Sequence, residues 1–202
     1  MNNINKISSG SSSNRVMLNA MLLLFAVGEL TGTVLFCAAG ISGLFELNGF
    51  LEKYFYNRLE CTFVQAVINS FSGTFILIIL CCLLGTGAFF KCIEYSIPLF
   101  QGMGTGILLA ELNYSYGVKG LLFSLILIIP YHTISALAVA VAAREAAFMS
   151  GMISALMLKN SYTDKINFNL YLHKYIILTF IVLSASIIEC MNMGLWMKIF
   201  GE

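Results

Sequence analysis

VMLNAMLLLFAVGELTGTVLFCAAGISG, Val16 to Gly43, is an apolar run whose sole charge is Glu29, near its middle. A helix needs about 20 mostly apolar residues to cross the hydrocarbon core of a bilayer, and this run is longer. An ionisable side chain near the bilayer centre costs about 2.5 to 3.5 kcal/mol on the insertion scale, so Glu29 must be paired, protonated or in contact with water. The pattern recurs near the other end of the chain, where Glu189 stands in the apolar run between Tyr175 and Trp196. These runs set the expected fold class: all-α, a polytopic membrane helix bundle.

Composition leads to the same class. The chain is 59% hydrophobic and 10% charged, with a mean hydropathy of +0.88, too apolar to enclose a core behind a water-exposed surface. A net charge of +1 and the lack of a basic stripe with interleaved aromatics argue against nucleic acid. The six cysteines, Cys37, Cys61, Cys81, Cys82, Cys92 and Cys190, form no CxxC pair and have no His or Asp at ligand spacing, so no metal and no cofactor is expected. Val16 to Gly43 is also far longer than the about 7 to 15 apolar residues of a signal-peptide core. It reads as an uncleaved first helix.

Residues 1–15, with the Ser8 to Ser13 tract, are expected to be a disordered cytoplasmic tail, and 16–202 a single transmembrane helical domain. Between Leu44 and Gln65, Leu47, Leu51, Tyr54, Phe55, Leu59 and Phe63 recur at helical spacing, which suits a helix lying on the membrane surface. About five spans are expected: the first helix, Ala66 to Leu84, Ile93 to Leu112, Lys119 to Ala143 broken at Pro130, and Tyr175 to Trp196. Ala146 to Leu158 is too short to span; it either extends the fourth helix or is re-entrant. With the amino terminus inside, Lys6, Arg15, Lys91, Arg144, Lys159, Lys165 and Lys174 are cytoplasmic, against Lys53, Arg58, Lys119 and Lys198 outside. Seven against four favours a cytoplasmic amino terminus and an extracytoplasmic carboxyl terminus. Tyr171 and Tyr175 then mark the inner interface and Trp196 the outer one.

Four intramembrane polar residues are candidates for function or packing. Glu29, Gln101 and His132 lie near the centres of their helices, a depth at which they can meet, and Glu189 lies about seven residues, roughly 10 Å, below Trp196. A carboxyl beside an imidazole and an amide either relays protons or holds an ion, or forms a neutral hydrogen-bonded lock. Gly28 and Gly32 in the first helix, and Gly102, Gly104 and Gly106 in the third, are spaced to let helix backbones approach. Pro130 frees a backbone carbonyl one turn earlier, so a kink is expected near Tyr131 and His132. The chain has no GxSxG, HExxH, P-loop or dinucleotide fingerprint, and no paired carboxylates for glycoside chemistry. No catalytic residue is assigned.

Several of these pieces, in this order, resemble the stage II sporulation protein M family of small polytopic bacterial membrane proteins. They are Phe25-Ala26-Val27-Gly28 followed by Gly32, then Asn69, Leu84-Gly85, Pro98, Phe100-Gln101-Gly102 with Gly106, Gly117 with Gly120, Pro130, and the ending Ala185-Ser186-Ile187-Ile188-Glu189. The likeness covers nearly the whole chain. Broader members carry Pro-His-Gly with a glutamate three residues after the histidine, where this chain has Pro130-Tyr131-His132 and Ser135, and Glu29 is an addition to the family pattern. The resemblance implies a non-enzymatic scaffold in the bacterial cell membrane that recruits two peptidoglycan-degrading partners, stage II sporulation proteins P and D, during engulfment. The competing reading is a transporter or channel component using the intramembrane Glu and His residues. The bilayer is a partner in either case, and self-association of the chain stays open.

Overall fold

The long apolar runs fold as helices because a chain with few polar side chains satisfies its backbone best within each segment. The computed structural model describes residues 2–42, 62–158 and 167–200, and among them no strand is found. The helices are α1 (Asn2–Ser42), α2 (Phe63–Leu84), α3 (Lys91–Phe123), α4 (Ile129–Leu158) and α5 (Phe168–Phe200), with a π-helical stretch at Ser124–Ile128 between α3 and α4. The architecture is an all-α bundle. The proposed surface segment at 44–65 lies outside the described residues except for its last four. Of these, Thr62 starts α2: its backbone N–H donates to Gln65 Oε1 at 3.2 Å, satisfying one of the free donors of a helix start.

Four helices are long and apolar enough to cross a membrane: Arg15–Ala38 within α1, α2, α4, and Phe168–Met193 within α5. The third expected span folds as a helix but is not among the four, because Glu94, Gln101, Glu111 and a run of glycines lower its hydropathy. It packs beside α1 and α4 nonetheless. Hydrogen bonds and close contacts fix the directions: α1 and α3 are parallel, and α4 runs antiparallel to α3, with Gln101 reaching Ser135. Antiparallel pairing also joins α2 to α5, through Ser70 and Glu189, and α4 to α5, through Glu145 and Lys174.

Two expectations change, and one open alternative is decided. The backbone of the tail expected to be disordered is helical from Asn2 and continuous with the apolar part of α1. Near the end of α3 the chain reverses at Gly117 (φ 56°, ψ −133°), a conformation that a side chain would strain. The fourth apolar helix therefore leaves this turn and continues to Leu158, and Ala146 to Leu158 is its unbroken extension. The distortion associated with Pro130 is the π-helical stretch just before it, not a break at Tyr131 and His132. Its wider hydrogen-bond pattern accommodates the missing proline N–H, and regular helix resumes at once.

The core sits around α4. Ala136, Ala138, Ala140, Ala142, Ala143, Ala146 and Ala147 are all buried, and small side chains let α1, α2, α3 and α5 gather around one central helix. More than half of the apolar window of α4 is buried (56%), against 17% for α1, so α1 is the most exposed of the four. Among the described residues its tightest packing is against α3. A Cβ on Gly28 would run into the Leu99 carbonyl, one on Gly32 into Met103, one on Gly102 into Phe25, and one on Gly106 into the Glu29 backbone. Gly104 meets nothing within 4 Å and takes no part in this clasp.

Candidate functional site

The clasp determines where Glu29 sits. Glycines on α3 let its backbone lie directly on that helix, and the Thr33 hydroxyl donates to the Glu29 carbonyl at 2.9 Å, holding the turn in place. The Glu29 carboxylate then lines a cavity of about 250 Å³ between α1, α3 and α4, shared with Thr105, His132 and Thr133 and otherwise apolar. Glu29 and His132 are brought to one site as their depths suggested. Gln101 is not among the residues lining it; its Nε2 donates to Ser135 Oγ at 3.2 Å, and that hydroxyl donates to the His132 carbonyl at 3.1 Å. The amide therefore supports the backbone behind His132 rather than facing Glu29.

Glu189 belongs to a second cluster. It is 4% exposed and accepts a hydrogen bond from the Ser70 hydroxyl, while the Tyr131 hydroxyl donates to the Ser70 carbonyl at 2.7 Å and lies 3.1 Å from Thr74 Oγ1. Tyr131 and His132 are neighbours in the chain with ring centroids 5.3 Å apart, so the two clusters meet edge to face on α4. A carboxyl at each side of the bundle is thus connected to the central helix at similar depth.

A third cluster lies where α2 ends and α3 begins. Glu94 is fully buried, and neither carboxylate oxygen has a hydrogen-bond partner among the described residues. The Tyr171 hydroxyl is 3.0 Å from the Cys82 carbonyl and 3.2 Å from the Tyr175 hydroxyl, which donates to the Ala142 carbonyl at 2.8 Å. These tyrosines are core residues at 5% exposure, and their hydroxyls reach carbonyls inside the bundle. The Trp196 side chain lies outside the described residues. Beside them Glu145 pairs with Lys174 at 2.6 Å and with Arg144.

Residue-level reading of the chain missed Glu94, Glu111, Ser70, Tyr131 and Ser135. The two carboxylates were visible as charges near the ends of an apolar run; the hydroxyl residues gave no signal, since serine and tyrosine are ordinary in such runs. Among the described residues no group of three or more His, Cys, Asp or Glu side chains is arranged to hold a metal ion. What the arrangement can do chemically is exchange protons or hydrogen bonds at buried carboxyls.

Fold and polar interior together define the class: an all-α bundle with four helices apt to cross a membrane and with carboxylates at helix–helix contacts. No family model, curated protein or solved structure matches the chain. The functional reading rests on the residues themselves.

Proposed function

We propose that the chain is a non-enzymatic membrane scaffold of the stage II sporulation protein M type, with a cytoplasmic amino terminus, that recruits the membrane-anchored wall hydrolases, stage II sporulation proteins P and D, in engulfment. The observation that carries this reading is the clasp. Gly28, Gly32, Gly102 and Gly106, which carry much of the resemblance, are the positions where α1 and α3 touch backbone to backbone. Leu84-Gly85 supports it in the same way, because a Cβ on Gly85 would come within 2.8 Å of Ala146 Cα where α2 crosses α4. Rigid, close contacts suit a protein whose work is to hold others in place. The test is co-purification of both hydrolases with the tagged full-length chain from sporulating cells, retained in Gly104→Ala and lost in Gly32→Leu. Failure of the unmodified chain to retain either hydrolase would sink the reading.

A transporter or channel component is the second reading, favoured by the cavity that joins Glu29 to His132. The two differ on one substitution. A hydrogen-bonding role tolerates Glu29→Gln, whereas a proton-carrying role makes Gln as damaging as Leu, since an amide does not titrate. A Glu29→Gln protein that is stable in detergent but inactive in cells, together with ion flux in proteoliposomes, would replace the scaffold with the transporter.

A further inference from the structure

Glu29 occupies an unusual position among the carboxylates of the bundle. Glu189 accepts from Ser70, Glu145 holds Lys174, and Glu94, without a hydrogen-bond partner among the described residues, is sealed inside; the Glu29 carboxylate has no hydrogen bond or ion pair among the described residues and lines an open cavity near the middle of its apolar window. It is also half-buried on the helix with the most exposed face, and its cavity reaches the outside of the bundle past Thr133 and Leu137, both exposed. At about 250 Å³ the cavity is smaller than the roughly 300 to 1,000 Å³ of small-molecule sites; it is sized for a side chain. At mid-bilayer depth lipid supplies only hydrocarbon, so a hydrogen-bond donor arrives there on another membrane helix.

We propose that the cavity between α1, α3 and α4 is a socket for a transmembrane helix of another protein, which inserts one amide or amine side chain to donate to Glu29. Complementarity selects the donor: the socket offers a carboxylate on one wall, the imidazole of His132 on another, and apolar surface elsewhere. The clasp prepares the site in advance, because Gly102 and Gly106 leave Glu29 no freedom to withdraw along α3. This deepens the scaffold reading by giving the recruited partner a place to dock.

The test uses the full-length chain in bilayers of phosphatidylethanolamine and phosphatidylglycerol, with synthetic single-pass leucine helices bearing a central Asn, a central Lys or only Leu. Energy transfer between labelled chain and helix reads association. The Asn and Lys helices should associate about fivefold or more tightly than the all-Leu helix. Glu29→Leu should abolish that preference. Thr133→Leu, which keeps Glu29 and crowds the mouth, should reduce it, and Leu30→Ala on the exposed side of α1 should leave it unchanged. Equal binding of all three helices, or a preference that survives Glu29→Leu, would overturn the proposal. So would energy transfer between copies of the chain that is lost in Glu29→Leu, because a second copy would then fill the socket. A donor preference without hydrolase co-purification leaves the socket standing and removes the scaffold; hydrolase recruitment unaffected by Glu29→Leu does the reverse.

Discussion

Tyr131 and His132 divide the polar interior between them. Tyr131 reaches α2 and the Glu189 pair, while His132 faces the cavity with Glu29. Removing the carboxyl with Glu189→Leu strands the buried Ser70 hydroxyl and should cost about 1 to 3 kcal/mol in detergent unfolding. Ile188→Leu, on a side chain 56% exposed, should stay within about 0.5 kcal/mol. Equal tolerance of both would mean that the carboxyl is dispensable to the bundle. Tyr131→Phe should also destabilise, by about 1 to 3 kcal/mol, since it leaves the Ser70 carbonyl without this donor. Glu189 was legible as an intramembrane charge, but its partner was not: of the two serines on α2, Ser70 becomes special only when α5 is laid against it.

At the scale of elements, glycines decide which helices touch. Gly106→Ala places a Cβ 2.9 Å from the Glu29 carbonyl carbon, backbone that cannot yield, so α1 should be pushed off α3 at a cost of about 1 to 3 kcal/mol. Gly104→Ala meets open space and should gain up to about 1 kcal/mol in helix propensity. The pair therefore has opposite signs in thermal melts of the purified protein, and a loss of stability in both would refute the clasp. Gly117→Ala should cost about 1 to 3 kcal/mol for a different reason, the positive φ of the reversal near the end of α3. The fourth apolar helix leaves this reversal directly, in keeping with the expected start at Lys119. The polar stretch from Asn113 to Lys119 marks the gap between two apolar runs, but hydropathy does not register the single backbone conformation that makes the turn.

Across the whole molecule, α1, α3 and α5 point one way and α2 and α4 the other. If α3 crosses with the rest, the crossings are odd in number and the termini lie on opposite sides of the membrane. With the Lys and Arg asymmetry, this predicts that a reporter active only in the cytoplasm is active when fused before Met1 and silent when fused after Glu202. Activity at both ends would leave an even number of crossings and remove α3 from the count, since α3 is not among the four helices apolar enough to span.

The sequence by itself determined the all-α class, the apolar runs that fold as helices and the places of Glu29, Gln101, His132 and Glu189 along them, because hydropathy and rise per residue are local sums along one chain. Only the tertiary structure decided that Gln101 serves Ser135, that Glu189 meets Ser70, that Glu94 is sealed inside and that Glu29 remains accessible in a cavity beside His132. Those outcomes depend on which faces pack together. In a bundle this uniformly apolar, hydrophobicity does not choose among faces; the choice falls to the glycines of α1 and α3 and the alanines of α4, where small residues let backbones close up.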